Sequence, residues 1–568
     1  MIKENLVETL EKSILKNWEN PCFSDYGGAA YSYADVAASI SGIHGLFKSF
    51  DVKKGDKIAL CGRNSSNWGI VYLAAVTCGA VIVPILVDFS PEEIVHIVRH
   101  SDSKLFFAAD SVFERIGDLP LETAEAVVSL DNFGFLSVKN KDKKELIEKN
   151  NADFLEKIKQ KPLARENFRF EAVSNDTQAS IVYTSGTTGF SKGVMITHNA
   201  LMVNVKFFIE HLLKDEPGTV LSFLPLAHCF GCAYDFLSQF ARGAHIYFLG
   251  KIPTPKVILQ AFGEINPNIV VTVPLILEKI YQSKIVPLLE KGLLAALIKI
   301  PLVNRLIYSK IGTQINDAFG SNHFELLIGG AAFNPQIEEF FKKCGVRFTV
   351  GYGMTECAPL IAYAHYFEAR PVGSCGKVID ALQLKIDSPD ENGVGEICVK
   401  GENVFTGYYK MEKETAEAFD GEGWFHTGDL GLVDNNGFLF IKGRIKSMIL
   451  SASGQNIYPE EIEAKLNSMP YVAESLVVET KDHKLAAFVC PDAAKVRKDG
   501  IEEAQLIEIM EKNRIKLNES SSSFAKISEI KIHPGEFEKT STKKIKRRLY
   551  QGLADKNNNK INCQRRKI

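Results

Sequence analysis

No cysteine framework marks this chain: its 11 cysteines, an odd number, are scattered over 568 residues. That excludes a disulfide-stapled secreted scaffold and points to reduced thiols in a cytoplasmic setting. Cys229 and Cys232 form a C-x-x-C, but neither a second pair nor a His-x-x-x-His follows, so small core thiols stand as the alternative to a metal or redox pair. Net charge is nearly absent as well. Lys and Arg total 67 against 69 Asp and Glu, a formal charge of -2, so no global field draws the chain to nucleic acid. The start, MIKENLVETLEKSIL, has no apolar core region; it predicts an amphipathic helix, not a signal peptide. Only Trp68 to Val87 approaches the apolar content of a membrane span. Gly69, Gly79 and Pro84 interrupt it, and the pattern predicts a buried helix followed by a buried strand.

What is present is a globular composition, 45% apolar and 24% charged, in a chain too long for one ordinary domain. Short β-branched runs recur: KIAL before Cys61, KLFFAA at Lys104, SIVYTS at Ser180, TVLSFLP at Thr219, HIYFL at His245, IVVTVP at Ile269 and ELLIGG at Glu325. Helical patterns such as ALMVNVKFFIEHLL from Ala200 lie between several of them. This alternation predicts an α/β fold: a large, multi-layered N-terminal domain of mostly parallel sheets with helices. Phe135 to Arg169 is charge-rich and reads as a surface excursion. Near Gly443 the pattern changes to a small, mobile α+β domain. The expected division is 1–443 for the large domain, 444–446 for a hinge, 447–553 for the small domain and 554–568 for a loose basic tail.

The segment from Tyr183 to Gly193, YTSGTTGFSKG, follows a predicted strand and precedes a helix. Glycines at Gly186 and Gly189 let the backbone approach an anion closely and present N–H groups to it. Ser185, Thr187 and Thr188 add hydroxyl donors, and Lys192 adds a movable positive charge. Such a loop suits a polyphosphate, although a Ser/Thr/Gly stretch can also be an ordinary turn. It is not the pattern G-x-x-x-x-G-K-[ST], because Gly follows Lys192.

YTSGTTGFSKG resembles the signature of the adenylate-forming superfamily, which includes acyl-CoA synthetases, luciferases and peptide-synthetase adenylation domains. Eight further segments resemble that family's motifs in its order: LPLAHCFG from Leu224, GGAAFN from Gly329, GYGMTE from Gly351, GEICVKG from Gly395, GWFHTGDLG from Gly423, GRIKSMI from Gly443, NIYPEEIE from Asn456 and EKTSTKKIKR from Glu538. The details are most similar to bacterial long-chain fatty-acid–CoA ligases.

The resemblance implies roles. Gly351 and Tyr352 would hold the adenine, with Tyr352 stacked on the base and Gly330 and Ala331 on its other face; a core tyrosine is the alternative. Thr355 would bond the α-phosphate. Glu356 and Thr184 would sit on the Mg²⁺ side. Asp429 would accept from both ribose hydroxyls rather than only capping its own turn, with Arg444 on the ribose or a phosphate and Lys446 beside them. His228 would border the acyl carboxylate, or be a satisfied core histidine. Lys544 would enter the site during adenylation and bridge the carboxylate and the α-phosphate. Glu538 and Lys543 replace the family's usual proline and glycine there, and Thr540, Ile545 and Arg547 set the register.

The cofactors implied are ATP and Mg²⁺, with coenzyme A as co-substrate. The reaction implied is activation of a fatty acid to acyl-AMP, followed by transfer to the thiol. A rotation of the small domain at Gly443 to Lys446 would serve both half-reactions, bringing SASGQN from Ser451 toward the adenylate. Competing readings are an acyl carrier protein as acceptor, an aryl- or amino-acid-activating enzyme, and a non-catalytic nucleotide-binding protein. A peptide-synthetase module, with a carrier domain after residue 568, is not expected. The run from Ile285 to Ile311, apolar and basic, suits peripheral contact with the inner membrane face or a core helix pair broken at Pro301. A homodimer remains open.

Overall fold

The computed structural model describes residues 2–140, 163–184, 191–212, 218–289, 297–298, 300–301, 303–320, 325–450, 455–519, 521–522, 525–540 and 544–553. The chain divides into two compact units. The first comprises Met1–Lys385, Cys398–His426 and Asp434–Leu439; the second comprises Ile386–Ile397, Thr427–Val433 and Phe440–Ile568.

Two seven-stranded sheets dominate the first unit. One runs, edge to edge, through Phe135–Val138, Ala126–Ser129, Ser103–Ala108, Lys57–Cys61, Val81–Ile85, Gln178–Thr184 and Lys192–Thr197. Its five inner strands are parallel and both edge strands antiparallel. The other runs through Phe348–Val350, Glu325–Ile328, Ile269–Thr272, Thr219–Ser222, His245–Phe248, Pro21–Asp25 and Ala30–Ser32, all parallel except the last. Every β-branched run named above overlaps one of these strands. Phe135–Val138 does not belong to a surface excursion; it is a sheet edge. A charge average over a long window conceals a strand of that length, and residues 141–162 lie outside the described ones.

The apolar stretch after Asn67 is explained by burial on all sides. Helix Ser66–Thr77 is buried at all its positions except Asn67, and strand Val81–Ile85 is buried throughout. At Gly69 the helix meets rings from elsewhere in the unit: a Cβ there would stand 3.0 Å from Phe236 and 3.2 Å from Phe23. Phe23 belongs to the second sheet and Val81–Ile85 to the first, so this helix fills the layer between the sheets. A helix packed on both faces needs no polar stripe. Among the described residues, no helix is long and apolar enough to cross a membrane. Near the start, helix Leu6–Lys16 is capped by Asn5, whose side chain accepts the Glu8 N–H, and it buries Leu6, Val7, Leu10 and Ile14 on one face.

In the second unit, Val472–Glu479 pairs antiparallel with Leu485–Pro491, which pairs parallel with Ile527–Ile532. Helices Pro459–Asn467 and Glu503–Glu519 place Leu466, Met510 and Leu517 against Val477, Ala487 and Val489. The alternate strand positions Leu476, Val478 and Phe488 pack with Phe537 and Tyr550 on the other face, the period-two rule of a sheet covered on both sides.

Candidate active site

Parallel strands of an α/β sheet deliver their loops at the carboxyl ends, where ligands bind. In the second sheet of the first unit, Ile328 is in register with Val350, so Gly330 and Ala331 leave one strand beside the point where Gly351 and Tyr352 leave its neighbour. Gly330 takes a φ of +83°, a conformation that favours glycine, and Ala331 is exposed. Thr219–Ser222 releases the turn that carries His228 from the same sheet end. Asn64 pins that turn: its amide donates to Ser222 Oγ at 3.1 Å and to the Leu224 carbonyl at 2.7 Å, and its oxygen accepts the Leu226 N–H at 3.1 Å.

His228 caps the short turn Cys229–Gly231, and its Nδ1 accepts the Phe230 N–H at 3.3 Å. In the neutral ring this leaves the proton on Nε2. The next residue ties the turn to the GYGMTE loop. Burial pushes the Cys229 thiol up, the nearby Glu356 charge adds to this, and a hydrogen bond with the Thr355 side chain opposes it. Cys229 and Cys232 are both buried with raised thiols, which fits core packing.

Two buried asparagines hold the backbone that follows Glu356. Asn403 donates to the carbonyls of Cys357 at 2.8 Å and Leu360 at 2.7 Å. Asn204 accepts the Leu360 N–H at 3.1 Å and the Tyr234 hydroxyl at 2.9 Å. Gly353 allows the loop to close, since a Cβ there would collide with the Pro359 carbonyl at 2.1 Å. Thr355 and Glu356 therefore project from a turn whose backbone is bonded from two other segments.

The phosphate-loop candidate is the connection of an antiparallel hairpin. Thr184, at the end of one strand, is the register partner of Lys192, at the start of the next. Ser185, Gly186, Thr187, Thr188 and Gly189 lie outside the described residues. Lys192 Nζ lies 4.4 Å from the centre of the Tyr408 ring, and the Tyr408 hydroxyl donates to Glu356 Oε1 at 3.0 Å. Lys192 and Glu356, the residue expected on the metal side, thus meet on one aromatic side chain. A half-buried carboxylate and a threonine hydroxyl are hard oxygen donors of the kind that suits Mg²⁺.

The remaining candidates belong to the second unit. Asp429 is buried in strand Phe425–Val433, and Arg444 Nε lies 2.8 Å from its Oδ1. Thr427 Oγ1 accepts the Asp429 N–H at 3.1 Å and itself donates to the Ile397 carbonyl. Lys446 is exposed in the short turn Ile445–Ser447. Lys544 is exposed at the end of a tight hairpin, where its carbonyl accepts the Thr540 N–H and its N–H donates to Thr540 Oγ1. The crowded lysines sort themselves: Lys539 pairs with Glu474 and Lys546 with Glu538, each at 2.7 Å. Arg547, bidentate to Glu463 at 2.7 and 2.9 Å, anchors the hairpin's base. Residues 451–454 and Lys543 lie outside the described residues.

In the first unit, then, the structure gathers Thr184 with Lys192, Lys192 with Glu356, and Thr355 with the His228 turn, while Gly330, Ala331, Gly351 and Tyr352 share adjoining strand ends. In the second it gathers Asp429 with Arg444. Sequence reading passes over Asn64, Asn204, Asn403 and Tyr408, because none carries chemistry by type alone. The signal was faint: a GYYK after a glycine-flanked turn.

The family model for AMP-binding enzymes matches residues 10–409, and that for the AMP-binding enzyme C-terminal domain matches residues 446–556. Among curated proteins, the long-chain-fatty-acid–CoA ligase FadD15 of Mycobacterium bovis is 29% identical over 78% of this chain and 74% of its own length. 4-Coumarate–CoA ligase 3 of rice, Oryza sativa subsp. japonica, is 28% identical over 85% of this chain and 81% of its own. Among solved structures, ATP-bound MatB from Rhodopseudomonas palustris superposes with a TM-score of 0.75 at 22% identity, covering 97% of this chain and all of that one, which is a likeness of fold.

Proposed function

This chain belongs to the AMP-binding enzyme family, and from that premise we propose that it activates a long-chain fatty acid with ATP and transfers the acyl group to coenzyme A. The broader class, an adenylate-forming acid–CoA ligase, is common to both curated relatives. The observation that carries the reading is the meeting of Lys192 and Glu356 on Tyr408, beside the turn that presents Thr355.

In the first half-reaction the carboxylate attacks the α-phosphorus, and pyrophosphate leaves. Lys192 and the loop hydroxyls hold the polyphosphate. Tyr352 and the backbone at Gly330 and Ala331 sandwich the adenine, and Asp429 with Arg444 takes the ribose. Glu356 and Thr184 would hold Mg²⁺, which when bound would supply positive charge beside the phosphates. Lys544 supplies positive charge where negative charge builds on carboxylate and α-phosphate together. His228, a donor at Nε2 when neutral, orients the acid. In the second half-reaction the thiol attacks the mixed anhydride and AMP departs. No enzyme nucleophile is called for, because the acid is itself the attacking group.

The rice relative supports a second reading, an aryl acid in place of the acyl chain. Pyrophosphate release over acids from acetate to oleate, with 4-coumarate included, separates the two. Release that rises with chain length and acyl-CoA that forms only with coenzyme A are the expected results. Turnover with coumarate or an amino acid alone would overturn the fatty-acid reading, and transfer to an acyl carrier protein but not to coenzyme A would reassign the acceptor.

Peripheral contact with a membrane is proposed as the route of acid supply. Helix Val303–Ala318 buries Ile311, Gly312 and Ile315 while Leu306 is 74% exposed beside exposed Arg305. A basic surface with an apolar residue outward suits anionic lipid. Leu306→Asp should weaken sedimentation with anionic vesicles; unchanged sedimentation removes this contact.

A further inference from the structure

Tyr408 lies outside the nine segments on which the family resemblance rests, yet its backbone is fixed from two directions. Segment 406–409 runs beside strand Lys192–Thr197. The Met195 N–H donates to Gly407 at 3.0 Å, the Tyr409 N–H to Gly193 at 2.8 Å, and Val194 and Tyr408 are bridge partners. On the other side, the Tyr408 N–H donates to Thr415 Oγ1 at 2.9 Å. Gly407 turns the chain into this position with a φ of +143°. The side chain is 8% exposed, packed on Phe405 with ring centres 4.9 Å apart.

We propose that Tyr408 is a positioning residue that sets the divalent-cation carboxylate and the phosphate-loop lysine at once. The inference rests on the reading of this site as one for Mg²⁺ and ATP, and adds a residue that acts through Glu356 and Lys192. The hydroxyl engages Oε1 of Glu356 and fixes the carboxylate's rotation. A phenol does so without cancelling the negative charge a hard cation needs, as an ammonium in the same place would. The ring face holds the Lys192 ammonium by cation–π attraction, which leaves the charge available for phosphate oxygens. One rigid side chain thereby holds the two charges apart at set positions before the nucleotide arrives.

Two variants separate these functions. Tyr408→Phe keeps the ring and drops the hydroxyl; Tyr408→Leu drops both. Equilibrium binding of a fluorescent, non-hydrolysable ATP analogue is titrated with Mg²⁺ and repeated in EDTA, with Mn²⁺ binding followed by electron paramagnetic resonance. For Tyr408→Phe the Mg²⁺ concentration at half-maximal binding should rise about 3- to 10-fold, what one hydrogen bond is worth, while affinity in EDTA stays unchanged. Tyr408→Leu should lose affinity in EDTA as well. A merely structural tyrosine would lower the melting temperature and leave the Mg²⁺ requirement of Tyr408→Phe where it was, and that result overturns the proposal. Should Tyr408→Leu not fold, Tyr408→Phe decides alone. A wild-type protein that binds no analogue under either condition overturns the nucleotide reading itself, which is a different result from a Mg²⁺-dependent wild type and an indistinguishable Tyr408→Phe.

Discussion

Arg444 Nε lies 2.8 Å from Asp429 Oδ1, joining a carboxylate that is 7% exposed to a guanidinium that is 48% exposed. The two come from separate motifs, and the pairing gives the carboxylate a charged neighbour. Asp429→Ala should raise the KM for ATP about 10- to 100-fold, the range for hydrogen bonds to a charged group. Arg444→Ala should cost less, because a half-exposed cation is screened by water. Steady-state kinetics in ATP decides the order; a larger effect from Arg444 would transfer the ribose role to it.

Lys544 gives the sharpest kinetic test. Lys544→Ala should slow adenylate formation by about 10²- to 10³-fold, the usual loss of one charge aimed at a transition state. Thioesterification of supplied acyl-adenylate should be nearly unaffected. Lys546→Ala, which removes a lysine paired with Glu538, is the control for register and should change adenylation little. Equal losses in both half-reactions would argue against separate conformations for the two steps.

Glu325 makes stability depend on pH. Burial pushes its carboxyl up to about 8, and hydrogen bonding from Tyr363, at 3.4 Å, only partly opposes this. The unfolded chain releases that proton near 4.5, the ordinary value for a glutamate, so between 4.5 and 8 the folded state binds more protons than the unfolded one. Stability attributable to this group is therefore present at low pH and falls as pH rises through that window, by up to about 1.4 kcal/mol per unit. Denaturant unfolding at pH 5.5 and pH 8 should show a shallower decline for Glu325→Gln than for wild type, and equal declines would contradict this assignment.

The Arg547–Glu463 pair anchors the Lys544 hairpin. Arg547 also donates to the Val477 carbonyl at 2.8 Å, and Glu463 accepts the Val477 N–H at 2.7 Å. Arg547→Ala leaves Glu463 buried and uncompensated, which costs about 3–5 kcal/mol. Arg547→Met combined with Glu463→Leu should recover most of that. Urea unfolding of Arg547→Met, Glu463→Leu and the double forms the cycle; additive losses would show that the two do not act as a pair.

Much of the fold was legible because periodicity reports burial directly. The run from Ser66 to Ile85 reads as a helix and strand with apolar residues on every side, and both elements are buried as read. The spacing of Thr540, Ile545 and Arg547 set the expected register of the lysine motif on Lys544. Tyr408 and the three asparagines were not readable. Asn403 acts by donating to two carbonyls more than forty residues away, and nothing local to it says so.

The sequence alone determined the elements, their α/β alternation and the order of the nine segments, because side-chain period and turn chemistry are local properties of the chain. Tertiary structure alone decided which residues meet: Lys192 with Glu356 through Tyr408, Thr355 with Cys229, Asp429 with Arg444. Those contacts join residues far apart along the chain. Their geometry follows from strand register and from close-packed neighbours, which exist only once the sheets have closed on their helices.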